Sequence, residues 1–190
     1  MSWIRSVSRE QAGPALRELF ERMEKSSASG RLSHLWLSGG LDPKGVEKVW
    51  ALYRELMGDP APLTRAQAEA IAVVVSATNG CAYCVAHHAP KLAAALGDEP
   101  LARAVALDYR SADLPARDRV LLDHAVALTC EPEERTHADV ERLREYGFDD
   151  AAILKATEIA AYYNLTNRLA LGLGVTLEPG REPWEFGTQE

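Results

Sequence analysis

The chain has 190 residues, of which 47% are hydrophobic and 26% charged, so it forms one domain or at most two very small ones, and its composition excludes disorder. Lys and Arg total 21 against 28 Asp and Glu, a net charge of −7. That sign repels phosphate backbones and anionic lipid surfaces, so neither nucleic acid nor a membrane is an expected partner.

Apolar spacing predicts helix along almost the whole chain, and strand-like alternation is absent. Residues 9–25 carry Ala12, Ala15, Leu16, Leu19, Phe20 and Met23 as a helical stripe, ended by the Ser-rich stretch 26–30. Residues 31–41 are mixed and close on Gly39-Gly40. Asp42 is placed to cap a helix with Pro43 in its first turn, running to about Met57. Thr64-Arg65-Ala66-Gln67 has the form of a capping box, opening a helix that Asn79-Gly80 stops. The next helix begins at or near Cys81 and reaches about Leu96, with Gly97 as its cap; Pro90 inside it predicts a kink or a split. Helices follow over 99–109, 114–129 and 133–146, and Asp149 caps a long one ending at about Leu171. The tail, 178–190, is rich in Pro and Gly and reads as an arm without regular structure. Trp184 and Phe186 would dock that arm on the parent core or on a neighbouring subunit. The expected architecture is an all-α, single-domain, multi-helix bundle, with N-terminal helices (1–62), a core (63–177) and a C-terminal arm (178–190).

The three cysteines, Cys81, Cys84 and Cys130, are odd in number and make no disulfide framework. The first ten residues contain no apolar leader segment, and the longest apolar stretch, 70–77, falls well short of the about 20 residues a membrane helix needs. The expectation is a soluble cytoplasmic protein, where a close cysteine pair is redox-active or metal-binding rather than a static staple.

The segment 66–90, AQAEAIAVVVSATNGCAYCVAHHAP, carries the chemistry. Glu69 is its one carboxylate, and Lys and Arg are absent, so the helix pair is expected to be buried and Glu69 to need a partner. At about 100° per residue, Cys81, Cys84 and His88 share one helical face, with His87 as the second choice of imidazole. Cysteines in a first turn meet unpaired N–H groups and the positive end of the helix, which favour thiolate. A C-x-x-C spacing lets one sulfur attack and the other close a disulfide. Competing readings are a buried structural pair, a zinc site completed by Glu69 or His87, and a thioredoxin-type motif, which would need strands. Cys130 is expected to be a bystander, and His34, His124 and His137 core or surface residues.

Glu69, eleven residues, then Cys81-x-x-Cys84-x-x-x-His88 resembles the signature of the alkylhydroperoxidase D (AhpD)-like family, which groups with the carboxymuconolactone decarboxylase-like helical proteins. Tyr83 matches the C-x-Y-C form of its uncharacterised peroxidase-related members, and the stretch from Ala160 to Ala170 is similar to their C-terminal helix. The resemblance implies an all-α AhpD-like fold and a homo-oligomer (dimer, trimer or hexamer). It implies a thiol-dependent hydroperoxide reductase without cofactor or metal, acting on a peroxide and reduced by a dithiol or a protein reductant. Carried across, Cys84 attacks the peroxide, Cys81 resolves, and His88 and Glu69 relay the proton. Where some AhpD proteins carry a second histidine before the later cysteine, this chain has Tyr83. Decarboxylases of the superfamily lack the cysteine pair, which argues against that activity here. The alternatives are a thiol–disulfide oxidoreductase without peroxidase activity and a non-enzymatic helical oligomer with a Cys/His metal site.

Overall fold

A computed structural model describes residues 1–27 and 29–188. Its helices are α1 (Pro14–Ser26), α2 (His34–Gly39), α3 (Pro43–Gly58), α4 (Arg65–Thr78), α5 (Ala82–Leu96), α6 (Glu99–Asp108), α7 (Ala116–Cys130), α8 (His137–Glu145) and α9 (Asp150–Gly172). Among the described residues there is no strand, and no helix is long and apolar enough to cross a membrane.

Local chemistry sets most helix starts. The Asp42 carboxylate accepts from the Gly45 N–H at 3.1 Å to open α3. Thr64 and Gln67 form the reciprocal capping box of α4, at 2.9 and 3.1 Å. Asp98 and Asp149 accept from the N–H groups of Leu101 and Ala152 to open α6 and α9.

Several boundaries differ from expectation. α1 starts at Pro14 rather than Arg9, because Gly13-Pro14 supplies a helix start while the preceding segment folds as turns. The stretch 31–41 keeps only the short α2. Pro132–Glu134 form a 3-10 turn, and α8 begins at His137, where the Thr136 N–H donates to the Asp139 carboxylate at 2.7 Å. Pro90 does not split α5. Its ring lies on the exposed side, and the Ala86 carbonyl, which loses its helical donor to the proline, faces the Arg181 guanidinium at 3.4 Å.

α4 is the central post. Every residue from Ala68 to Ala77 is buried, and α5, α6, α7 and α9 pack around it. Burying each of Ile71, Val73, Val74 and Val75 contributes about 1.5–3 kcal/mol before entropy is counted. α1–α3 close a second, smaller core on Leu16, Leu19, Phe20, Met23 and Val46. A third cluster joins Cys81, Tyr83 and Cys84 to Ala170 and Val175. The arm docks on its own chain: Trp184 and Phe186 pack against the main core, and Arg103 lies over the Trp184 ring at 4.2 Å.

Candidate active site

The α4–α5 connection places the thiols. Gly80 takes a left-handed φ of +67°, which suits a residue without Cβ, and the Cys81 N–H then donates to the Ser76 carbonyl at 2.8 Å. Cys81 thereby becomes the N-cap of α5, and Cys84 stands in its first turn. The two sulfurs are 2.9 Å apart with no disulfide between them. Cys81 is 0% and Cys84 5% exposed. Both are buried, although Cys81 stands at the end of the helix, where local geometry alone would leave it the more exposed. That helix end is itself roofed by Ala170, Val175, Leu35, Leu173 and Leu177.

Their environments make the thiols unequal. The contact between the two sulfurs is the main influence holding Cys81 below the ordinary thiol range. Burial opposes it, while the backbone N–H of Cys84, the Asn167 amide and the Tyr83 N–H assist. Neither N–H makes a full capping hydrogen bond, so their help is that of the positive helix end. Cys84 is pushed well up by the Cys81 sulfur and by burial. The pair is therefore unequal: Cys81 gives up its proton more readily than Cys84. Asn167 is fixed for this task by donating to Ser76 Oγ and accepting from Asn79, both at 3.0 Å.

His88 turns to α4 and α9 rather than to sulfur. Among the described residues no hydrogen bond joins it to either cysteine. Its Nδ1 lies 2.8 Å from Glu69 Oε2, and its Nε2 lies 3.1 Å from the Tyr163 hydroxyl. A buried carboxylate demands a donor, and the imidazole one turn beyond the thiols supplies it. Burial, with Lys91 nearby, lowers His88 to about 4 against Glu69's opposing pull, so the ring is neutral at pH 7. Nδ1–H then donates to Glu69 and Nε2 accepts from Tyr163. Burial would raise Glu69, but the His88 hydrogen bond and the charges of Lys91 and Arg65 hold it below the usual carboxylate range. Arg65 reaches it at 3.4 Å from one turn earlier. Tyr163 stays protonated because burial and the Glu69 charge push its phenol well up.

His87 belongs to a different cluster. Its Nε2 lies 2.9 Å from Glu178 Oε2 on the arm. Glu178 Oε1 accepts from the Tyr83 hydroxyl at 2.6 Å and from the His34 N–H at 2.7 Å, and Arg181 meets Oε2 at 3.2 Å. Burial disfavours this carboxylate, yet His87, Tyr83 and the His34 N–H together hold it well below the usual range. One side chain thus ties the arm, α2 and α5 together beside the roof over the sulfurs. Among the described residues no three or more His, Cys, Asp or Glu side chains converge in a geometry that could hold a metal ion. Cys130 is exposed at the end of α7, on a different helix from the thiol pair.

Glu69, Cys81, Cys84 and His88 thus lie in one buried region, built by a helical hairpin and roofed by α9. Tyr163, Asn167, Arg65 and Glu178 complete it without having been singled out as site residues. Only Tyr163 and Asn167 carried a signal, as members of the family-like stretch from Ala160 to Ala170.

A close cysteine pair in an all-helical bundle is the mark of this fold, and comparison with known proteins agrees on the fold. Residues 43–109, which include all four site residues, match the sequence profile of the Carboxymuconolactone decarboxylase family. The chain is similar to an AhpD-core, uncharacterized peroxidase-related protein from Ralstonia eutropha JMP134, at 29% identity over 96% of this chain and 97% of that one, with a TM-score of 0.86. An uncharacterized peroxidase-related protein from Silicibacter sp. TM1040 aligns at 28% identity over 95% and 93%, TM-score 0.84. The debrominase Bmp8, solved in complex with 2,3,4-tribromopyrrole, shares the fold at 20% identity over 94% and 95%, TM-score 0.78. No curated protein matches the chain. The AhpD-like, carboxymuconolactone decarboxylase-like resemblance carried by the Glu69, Cys81, Cys84 and His88 spacing therefore holds, and the fold is the AhpD-like all-α bundle.

Proposed function

We propose that the protein is a thiol-dependent hydroperoxide reductase working through Cys81 and Cys84. The observation that carries the reading is the pair itself: two buried sulfurs 2.9 Å apart, with Cys81 shifted towards thiolate and Cys84 towards thiol. The thiolate attacks the distal peroxide oxygen; an S–O bond forms, the O–O bond breaks, and the leaving oxygen takes a proton. The other sulfur then attacks the sulfenic sulfur, forming the disulfide and releasing water. Two thiols and one hydroperoxide become one disulfide, one alcohol and one water. An external dithiol restores the pair by exchange, in keeping with the expected reducing, cytoplasmic setting.

The charge distribution favours Cys81 as the attacking sulfur, in place of the Cys84 that the resemblance implies. The Cys84 S–H is then the nearest proton for the leaving oxygen. Tyr163, held by neutral His88 over ionised Glu69, is the route by which that proton is replaced. The roof of apolar side chains admits small or apolar hydroperoxides more readily than charged ones.

The test is peroxide consumption with a dithiol. Cys81→Ser and Cys84→Ser should each abolish turnover, and a sulfenic-acid trap should label Cys84→Ser but not Cys81→Ser. Labelling of the opposite variant reverses the order of attack. Full activity in the double variant removes the reading. Reversible disulfide formation with peroxide ignored leaves the second reading, a thiol–disulfide oxidoreductase.

A further inference from the structure

Asn164, Asn167 and Arg168 are polar positions on α9, a helix otherwise rich in Ala, Leu and Tyr. The Arg168 guanidinium, which can only donate, gives an N–H to Asn164 Oδ1 at 2.7 Å. The Asn164 amide nitrogen meets groups that can only accept. One is the Ala160 carbonyl at 3.1 Å; the other is Thr129 Oγ1 at 3.0 Å, whose own hydrogen goes to the Ala125 carbonyl. Asn164 is therefore fixed from both ends, with its oxygen turned to Asn79.

That orientation propagates. Asn79, at the end of α4, must answer the Asn164 oxygen with its NH2, at 3.0 Å. The same nitrogen lies 3.0 Å from Asn167 Oδ1, so Asn167 gives its oxygen to Asn79 and keeps its NH2 for the other side. There one N–H goes to Ser76 Oγ at 3.0 Å. The second is left for the thiol pair, and Asn167 does favour the ionised form of both Cys81 and Cys84, as an N–H does and a C=O would not. We propose that Asn164, Asn79 and Asn167 form a relay of fixed direction, anchored by Arg168 and Thr129, that keeps an N–H of Asn167 aimed at the two sulfurs. Asn167 is then the donor to the reacting pair, and Asn79 and Asn164 are positioning residues that act through it. The role rests on the peroxidase reading and extends it to the return step. When an external thiolate attacks the Cys81–Cys84 disulfide, a new S–S bond forms to one sulfur and the electron pair of the old bond passes to the other. That sulfur leaves as thiolate under the same N–H, and a better-stabilised thiolate leaves faster.

Ultraviolet titration of the thiolate in the full chain, with Cys81→Ser as the blank, tests the relay without peroxide. Asn167→Ala should lower the acid constant of Cys81 about tenfold. Asn79→Ala, at a half-buried site in ordinary helical backbone, should lower it about threefold, and it serves where Asn167→Ala does not fold by circular dichroism. Asn79→Asp and Asn164→Asp add the same charge but differ in direction. A carboxylate at position 79 cannot donate, so Asn167 must turn its C=O to the sulfurs, and the fall should be more than about tenfold. A carboxylate at position 164 still accepts from Arg168 and Asn79, so the constant should stay within about threefold of the wild type. Unchanged titration in Asn167→Ala and Asn79→Ala overturns the proposal. Equal shifts in the two aspartate variants overturn it as well, since they assign the effect to charge alone. If the titrations behave as expected while peroxide is ignored, the relay stands and the peroxidase reading falls. Peroxide turnover with an unshifted Asn167→Ala titration removes the relay alone.

Discussion

His87 and His88 are neighbours on α5, and each meets a carboxylate at hydrogen-bond distance, yet the two contacts are built from different materials. Glu69 and His88 are held by helices α4, α5 and α9, inside the core, with Tyr163 on the far ring nitrogen. Glu178 and His87 join α5 to an irregular arm at the rim. The inner contact has two interior helices on either side and little freedom to open. The outer contact depends on a segment secured mainly by Trp184, Phe186 and a few backbone bonds. In the proposed mechanism the inner pair serves the proton route, and the outer pair holds the arm beside the roof over the sulfurs.

Breaking the inner pair should have the largest effect. Glu69→Ala leaves the buried His88 Nδ1–H without its carboxylate acceptor and should cost about 2–3 kcal/mol in urea unfolding, with at least a tenfold loss of peroxide turnover. Glu69→Gln should recover most of the stability but not the turnover.

Acid should distinguish the pairs next. His88 stands at about 4 in the folded chain against an ordinary 6.5, so between those values the unfolded chain binds more protons. Stability should therefore fall as pH drops through that window. Glu69, held below its usual range, adds its loss only at lower pH, as its folded value is crossed. Burial also lowers His87 and His124, so the comparison with His88→Asn isolates the inner ring. A urea midpoint unchanged between about pH 7 and about pH 5 would contradict a neutral buried His88.

Tyr163→Phe sharpens the proton route. It keeps the ring packed edge-on against His88 and removes only the hydroxyl. Stability should change by about 1 kcal/mol, while turnover falls roughly tenfold or more. Equal turnover in the two proteins would exclude the phenol from the route. Glu178→Gln should be the mildest: a stability change below about 1 kcal/mol, turnover retained within a few-fold, and faster reaction of the thiols with an added disulfide reagent as the arm loosens. Unchanged thiol reactivity would show that the arm does not govern access.

Legibility followed sequence distance. The α4 capping box, the Asn79-Gly80 stop and the Cys81, Cys84, His88 face are local patterns within a few residues of one another, and each could be read directly. The split that Pro90 could have caused does not occur, since the helical bond it removes is answered from Arg181, ninety-one residues downstream. The burial of Cys81 is likewise a long-range effect: a helix end is open by itself, and Ala170 and Val175 help to bury it.

The amino-acid order by itself determined the helices, the spacing of the thiols and the need of Glu69 for a partner, since all three follow from short-range geometry and the cost of burying charge. Tertiary structure alone decided which imidazole hydrogen-bonds Glu69, which sulfur holds its proton more tightly, and that Tyr163, Asn167 and Glu178 surround them. Those outcomes depend on desolvation and on groups brought together from distant helices, and neither exists until the chain has folded.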